Sequence, residues 1–227
     1  MSTLFPQGVE GVLFDLDGTL LDSAPDLYAA LIAQCVEESV APPPYAPVRM
    51  VVSRGARAVL RCAFEERGGA ALDALQPRYL ELYRRVMGQQ TSPFDGIESL
   101  LERIEAQGMP WGIVTNKSES LTHELLARIG WTGRADAVIC GDTLAVKKPD
   151  PAPVLLACTQ AGIRPARGLF VGDDRRDVQA GAAAGLRTAA VSWGYLDGGD
   201  PQAWDADVVV DRPAQLAELL QLRPVAA

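Results

Sequence analysis

The run Val12-Leu13-Phe14-Asp15-Leu16-Asp17-Gly18-Thr19-Leu20-Leu21 opens on three apolar residues and closes on Gly18-Thr19, which breaks the pattern. Apolar residues ahead of such a break predict a short buried strand. Side chains at i and i+2 share one face of a strand, so Asp15 and Asp17 are expected to project together where it ends. In open α/β sheets that edge is where ligands bind. Two acids crowded there repel each other and call for a cation or a shared proton. An apolar strand followed by Asp-Gly also fits an ordinary hairpin turn, so this stretch alone leaves both readings open.

The chain has 227 residues, enough for one large domain or two small ones, and 48% of them are hydrophobic, enough for a sizeable core. No apolar run approaches the length of a membrane span. Residues 1–10 lack the basic and then apolar pattern of a secretory leader, and a cytoplasmic location is expected. The formal net charge of −8 repels nucleic acid and anionic membranes, so neither is expected as a partner. A small anionic substrate then needs a local cation, from lysine, arginine or metal. Cys35, Cys62, Cys140 and Cys158 lie far apart without a Cys-x-x-Cys pair and are expected as free thiols. A monomer or a homodimer is expected.

Beyond Gly18, Ser23 is placed to cap a helix, with Pro25 in its first turn and Asp26 near its positive end. Apolar residues at helical spacing (Leu27, Leu31, Ile32, Cys35, Val36) carry that helix over 25–39, and Ala41-Pro42-Pro43-Pro44 stops it. Further helical patterns start near Ala46 and run over 56–67 and 71–88. Residues 22–91 thus read as all-helical, without a strand. From Ser92 strands and helices alternate: helix 97–107, strand 111–115, helix 119–129, strand 137–140, helix 152–161, strand 168–172, helix 176–184, strand 187–191, strand 207–210 and helix 213–222. That alternation predicts a parallel sheet with helices on both faces. The expected division is a Rossmann-like α/β core, residues 1–21 and 92–227, with a small α-helical cap, residues 22–91, inserted after the first strand. Insertions over an active edge often act as lids.

Four features fall at or just beyond the C-terminal ends of four expected strands: Asp15 with Asp17, Thr115-Asn116, Lys148-Pro149-Asp150-Pro151, and Gly172-Asp173-Asp174-Arg175-Arg176-Asp177. Singly each reads as a turn, a cap or a solvated loop residue. In one order on one edge they suit phosphoryl transfer, which depends on positioning and charge neutralisation. Lys148, the Thr115 hydroxyl and backbone amides around Asp17, Gly18 and Thr19 can meet phosphate oxygens. Asp15 and Asp173 can hold Mg²⁺, a hard cation that prefers oxygen ligands. A carboxylate nucleophile gives a covalent aspartyl-phosphate route.

The string FDLDGTLLDS and these four motifs, spanning residues 11–177, resemble the haloacid dehalogenase superfamily. The resemblance implies Asp15 as nucleophile and metal ligand. It implies Asp17 as general acid and then base, with its backbone carbonyl also on the metal. Thr115, with Asn116 beside it, holds the phosphoryl group, and Lys148 neutralises charge. Lys148 is chosen over Lys147 because the family lysine directly precedes Pro-x-Pro. Asp173 binds Mg²⁺, and Asp177 orients Lys148 or the metal's waters. Asp174 stands where relatives often carry serine. The insertion matches the family's helical cap, whose Arg54-Gly55 turn is expected to face the substrate. Dehalogenases lack the second acid, so Asp17 argues for phosphate esters. The motifs look like the phosphoglycolate phosphatase group. SRGARAVLRCAF, WGIVTNK, VKKPDP, FVGDDRRD, RTAAVSWGY and WDADVVVD look closer to N-acetylmuramic acid 6-phosphate phosphatases. Rival expectations are a sugar-phosphate mutase, which shares the second acid, and a binding protein that lost turnover.

Among the remaining residues, His123 is expected on a helix surface and Trp193-Gly194-Tyr195 as a packed loop anchor near the active edge. Asp197-Gly198-Gly199-Asp200 reads as a flexible turn and Arg175-Arg176 as a solvated pair.

Overall fold

The computed structural model describes residues 8–224. Residues 1–7, most of the stretch read for a leader, and the ends of the expected core lie outside the described residues. Six strands form one parallel sheet: β1 (Gly11–Phe14), β4 (Trp111–Val114), β5 (Ala137–Ile139), β6 (Gly168–Gly172), β7 (Arg187–Val191) and β8 (Val208–Val210). Their order is β5-β4-β1-β6-β7-β8, with every neighbouring pair parallel. The strands are short apolar runs because both faces are covered, the usual condition of a parallel sheet. Leu13, Ile139 and Phe170 pack on one face against α7 (Ala152–Ala161) and α8 (Arg175–Ala183). Val12, Phe14, Ile113 and Val171 share the other core with α5 (Ile97–Ala106), α6 (Glu119–Arg128) and α9 (Pro213–Leu219). The chain leaves β1 towards β4 on one side and later crosses to β6 on the other. The C-terminal ends of β1, β4 and β6 therefore flank the topological switch, where ligands bind in such sheets.

Four α-helices lie between the first and second strands of this sheet: α1 (Ala24–Glu37), α2 (Tyr45–Met50), α3 (Ala56–Phe64) and α4 (Gly69–Val86). Leu31, Val59, Leu60, Phe64 and Tyr79 fill their common core. The buried Tyr79 hydroxyl donates to the Leu27 carbonyl (2.9 Å), which satisfies the one polar atom of that ring. The helical block is not free of strand, as the periodicity suggests. Its first residue, Asp22, belongs to β2 (Leu21–Asp22), which pairs antiparallel with β3 (Ser92–Pro93). Two-residue strands carry no periodicity to read. The Asp26 carboxylate, buried at the start of α1, accepts from Gly88 N–H, Gln90 N–H, Thr91 N–H and the Thr91 hydroxyl at 2.6–3.0 Å. The outgoing and returning segments of the block are thus tied at one point. All four cysteines are free thiols, as expected. Among the described residues no helix is long and apolar enough to cross a membrane.

Candidate active site

A cavity of about 390 Å³ opens between the strand ends and the helical block. Asp15, Asp17, Thr115, Lys148 and Asp177 line it from the sheet side; Val52, Arg54, Gly55 and Tyr83 line it from the helices. Asp15 is the first residue past β1, its N–H bonded to the Val171 carbonyl of β6. Lys148 Nζ lies 2.7 Å from Asp15 Oδ1 and 2.8 Å from Asp177 Oδ1, and donates to the Val114 carbonyl at 2.6 Å. All three ammonium hydrogens are spent, so the charge has one position. Lys148 is 4% exposed, which separates it from the exposed Lys147. Burial opposes its charge, yet Asp15 and Asp177 outweigh burial and hold its pKa up at about 12.

Asp15, Asp173 and Asp177 each offer an oxygen within 4.8 Å of the others. Three carboxylates against one ammonium leave a formal excess of two negative charges in a dehydrated pocket. Burial, then Asp15 and Asp177, push Asp173 well above the usual carboxylate range. Asp177 is pushed up to about 7, by burial first, with Lys148 opposing. Burial also raises Asp15 against the pull of Lys148. A hard divalent cation suits this donor set and its charge. Asp173 keeps capacity for it: Oδ1 accepts from Thr19 Oγ1 (3.0 Å) and Oδ2 from Tyr195 N–H (2.8 Å), one bond each.

Asp17 does not join the cluster. The strand ends at Phe14, so the i, i+2 rule no longer aligns the two acids. The Asp17 carboxylate accepts from Lys117 Nζ at 3.1 Å through both oxygens and from Ser23 Oγ at 2.5 Å. Any part it takes in metal binding falls to its backbone carbonyl. Neither Gly18 nor Thr19 lines the cavity. The Gly18 N–H is already bonded to the Leu21 carbonyl, and a Cβ on Gly18 would stand 2.2 Å from Asp173 Oδ2. The expected phosphate contact of the Gly18 amide is therefore replaced by a close approach to Asp173. The Asn116 carboxamide is equally committed, donating to the Lys148 carbonyl and accepting from the Lys148 N–H (both 3.1 Å), which fixes the lysine loop. Thr115 Oγ1 accepts from Lys117 N–H (3.2 Å), leaving its own hydrogen to donate.

Asp174 caps α8: its carboxylate accepts from Arg176 N–H while Asp177 accepts from Asp174 N–H, a reciprocal capping box. Arg176 is not a solvated charge. It bonds both Asp174 oxygens and donates to the Ser53 carbonyl of the helical block at 2.8 Å. Arg175 is exposed, as expected. Arg54 pairs with Asp197, whose turn is thereby anchored to the block. Gly55 has φ +84°, which a larger residue adopts only with strain, although nothing crowds its Cβ position. His123 is exposed on α6.

Residues 12–191 match the family of haloacid dehalogenase-like hydrolases. The chain belongs to that family. A phosphoglycolate phosphatase of Xanthomonas campestris pv. campestris (strain 8004) is 46% identical over 215 residues, covering 94% of this chain and 96% of its own. An N-acetylmuramic acid 6-phosphate phosphatase of Pseudomonas aeruginosa PAO1 is 43% identical over 218 residues, covering 93% and 95%. The crystal structure of a predicted phosphoglycolate phosphatase from Haemophilus somnus 129PT superposes with a TM-score of 0.84 at 23% identity, covering 93% of this chain and 97% of that one. Lys117 escapes the sequence reading around this hydrolase fold's site, while Ser23, Tyr195 and Arg176 are read there as a helix cap, a packed loop anchor and a solvated charge without the partners that the structure gives them. Ser23 sits at the cap position of α1, but its side chain makes no cap bond. The Tyr195 hydroxyl takes the two N–H groups instead. For Lys117 a signal existed: a lysine just past a strand end, on the edge that holds the acids.

Proposed function

We propose that this family member is a Mg²⁺-dependent phosphomonoesterase that works through a phosphate carried on Asp15. The observation that carries the reading is the separation of the two acids on one cavity. Asp15 faces Lys148 and the acidic cluster, whereas Asp17 stands apart on Lys117 and Ser23. The Asp15 carboxylate attacks phosphorus, a new P–O bond forms, and the ester P–O bond breaks. Asp17 protonates the departing alkoxide, then takes the proton of the water that releases phosphate. Thr115 donates to the phosphoryl group, and Lys148, held by Asp177, neutralises its charge. Asp15, Asp173 and the Asp17 carbonyl would hold Mg²⁺, which screens the charge of nucleophile and phosphate and orients both. Residues 22–91 form the cap over a core of residues 1–21 and 92–227. The cap closes on the substrate, with the Arg54-Gly55 turn facing it.

The substrate is a small phosphate ester, and relatives named for two such esters bound the choice. A volume of about 390 Å³ falls in the range, roughly 300–1,000 Å³, that encloses drug-sized ligands, and leaves room for a substrate larger than a two-carbon acid. One cavity residue, Ser53, carries a buried hydroxyl without a hydrogen-bond partner, as suits a ligand rich in polar groups. Both features favour N-acetylmuramic acid 6-phosphate over 2-phosphoglycolate. The enzyme acts alone or as a homodimer in the cytoplasm. Phosphate release with Mg²⁺ from these two esters and from glucose 1- and 6-phosphate tests the proposal. The muramic ester is expected to lead in kcat/KM by at least about tenfold, the order that one lost contact of about 1.4 kcal/mol makes. A need for a sugar bisphosphate primer would make the protein a mutase. Failure on every ester, an aryl phosphate included, would make it a binding protein.

A further inference from the structure

Tyr195 lies outside the substrate cavity, yet it joins three parts of the site. Its hydroxyl accepts from Ser23 N–H (2.8 Å) and Ala24 N–H (2.9 Å), the open donors at the start of α1, and donates to Asp22 Oδ1 (3.0 Å). Ser23, fixed through its backbone, turns its hydroxyl to Asp17 Oδ1 at 2.5 Å. The Tyr195 N–H holds Asp173 Oδ2 at 2.8 Å. Arg49 covers the ring at 4.9 Å and donates to the Gly194 carbonyl (3.1 Å). Gly194 admits no other residue: a Cβ there would stand 2.2 Å from the Asp173 Cβ and 2.5 Å from the Gly18 carbonyl oxygen. The loop is thereby clamped between the acidic cluster and the first turn of the cap.

We propose that Ser23 and Tyr195 are positioning residues for Asp17. The tyrosine hydroxyl sets the Ser23 backbone, and the serine hydroxyl aims the Asp17 carboxylate at the leaving oxygen. The proposal rests on Asp17 being the acid. An alkoxide needs that proton to leave, whereas p-nitrophenolate leaves unaided, so the dependence on the leaving group isolates this role. The value of kcat/KM, which reports phosphoryl transfer to Asp15, is measured on N-acetylmuramic acid 6-phosphate and on p-nitrophenyl phosphate. Ser23→Ala and Tyr195→Phe are expected to lose roughly 10- to 100-fold on the alkyl ester, below the ~10²–10⁴ of a whole acid, and under about threefold on the aryl ester. The double variant is expected to fall no further than Ser23→Ala, because the tyrosine acts through the serine. Equal losses on both esters, no loss, or losses that multiply would overturn the proposal. Asp17→Asn is the reference. If it is selective and Ser23→Ala is not, only the positioning role falls; if it is not selective, the acid assignment falls and takes the proposal with it. Should Tyr195→Phe fail to fold, Ser23→Ala carries the test alone, because it leaves every backbone bond of α1 in place.

Discussion

Asp15 and Asp17 are two residues apart, yet each is held by a different lysine. The strand ends before Asp15, so local alternation stops governing where the second acid points. Asp15 is left beside Lys148 with Asp177 behind the lysine. Asp15→Asn removes the proposed nucleophile but keeps the volume and a polar oxygen. Turnover is expected to fall by at least roughly 10³-fold, with the thermal transition kept; activity near the parent level would refute the nucleophile. Asp17→Asn leaves Asp15 in place but removes the proposed base for water. Intact-protein mass spectrometry after brief exposure to p-nitrophenyl phosphate, whose leaving group needs no acid, is expected to find one added phosphoryl group, and unmodified protein with prompt phosphate release would refute the acid–base role.

At the scale of elements, α8 does two jobs through one residue. Asp174 caps the helix and holds Arg176, whose guanidinium reaches across to the Ser53 carbonyl of the helical block. Arg176 keeps the Asp174 carboxyl below the usual carboxylate range although burial pushes the other way. Asp174→Ala loses both jobs. A cap is worth about 1 kcal/mol, which lowers Tm by roughly 2–4 °C in a chain of this length. Releasing Arg176 loosens the block and raises KM several-fold. Asp174→Ser keeps a cap and drops only the arginine. Calorimetry beside steady-state kinetics is expected to give a parental Tm with the KM increase retained. A parental KM would deny the tie between α8 and the helical block.

Across the whole molecule, the acidic cluster sets how stability depends on pH and metal. Burial raises Asp177 from the ordinary 3.8 to about 7, and Asp173 and Asp15 move the same way. A carboxyl raised on folding contributes stability that is complete below the unfolded pKa and is lost as pH rises through the folded one. For Asp177 in the metal-free protein the loss runs from about pH 4 to about pH 7. Mg²⁺ bound at this cluster would compete with those protons. The rise in Tm on adding Mg²⁺ in place of EDTA is therefore expected to be larger near pH 8 than near pH 5.5, with activity lost in EDTA at either pH. Equal rises would mean that the cation binds elsewhere. The Asp26 staple is a second control on the whole fold. Asp26→Ala strands the buried N–H and hydroxyl of Thr91, each worth about 1–3 kcal/mol, and releases the part-buried Gly88 and Gln90 N–H groups, so it is expected to unfold below the parent Tm by circular dichroism.

Most of the element order was legible in the chain because it rests on local periodicity. Strands buried on both faces read as apolar runs, and amphipathic helices repeat at three and four residues. Lys148 was legible over Lys147 because Pro149 and Pro151 mark its loop. What no local pattern carries is which distant groups meet. Lys117 and Asp17 are 100 residues apart, and Tyr195 and Ser23 are 172 apart. The order β5-β4-β1-β6-β7-β8 gathers the ends of their strands on one edge of the sheet, and only that closeness turns a solvated arginine into a clamp or a capping serine into a partner of Asp17. The sequence by itself determined most of the elements, the family and the four motifs. Tertiary packing decided the pairings, because a buried polar group takes whichever partner the fold brings within hydrogen-bond reach.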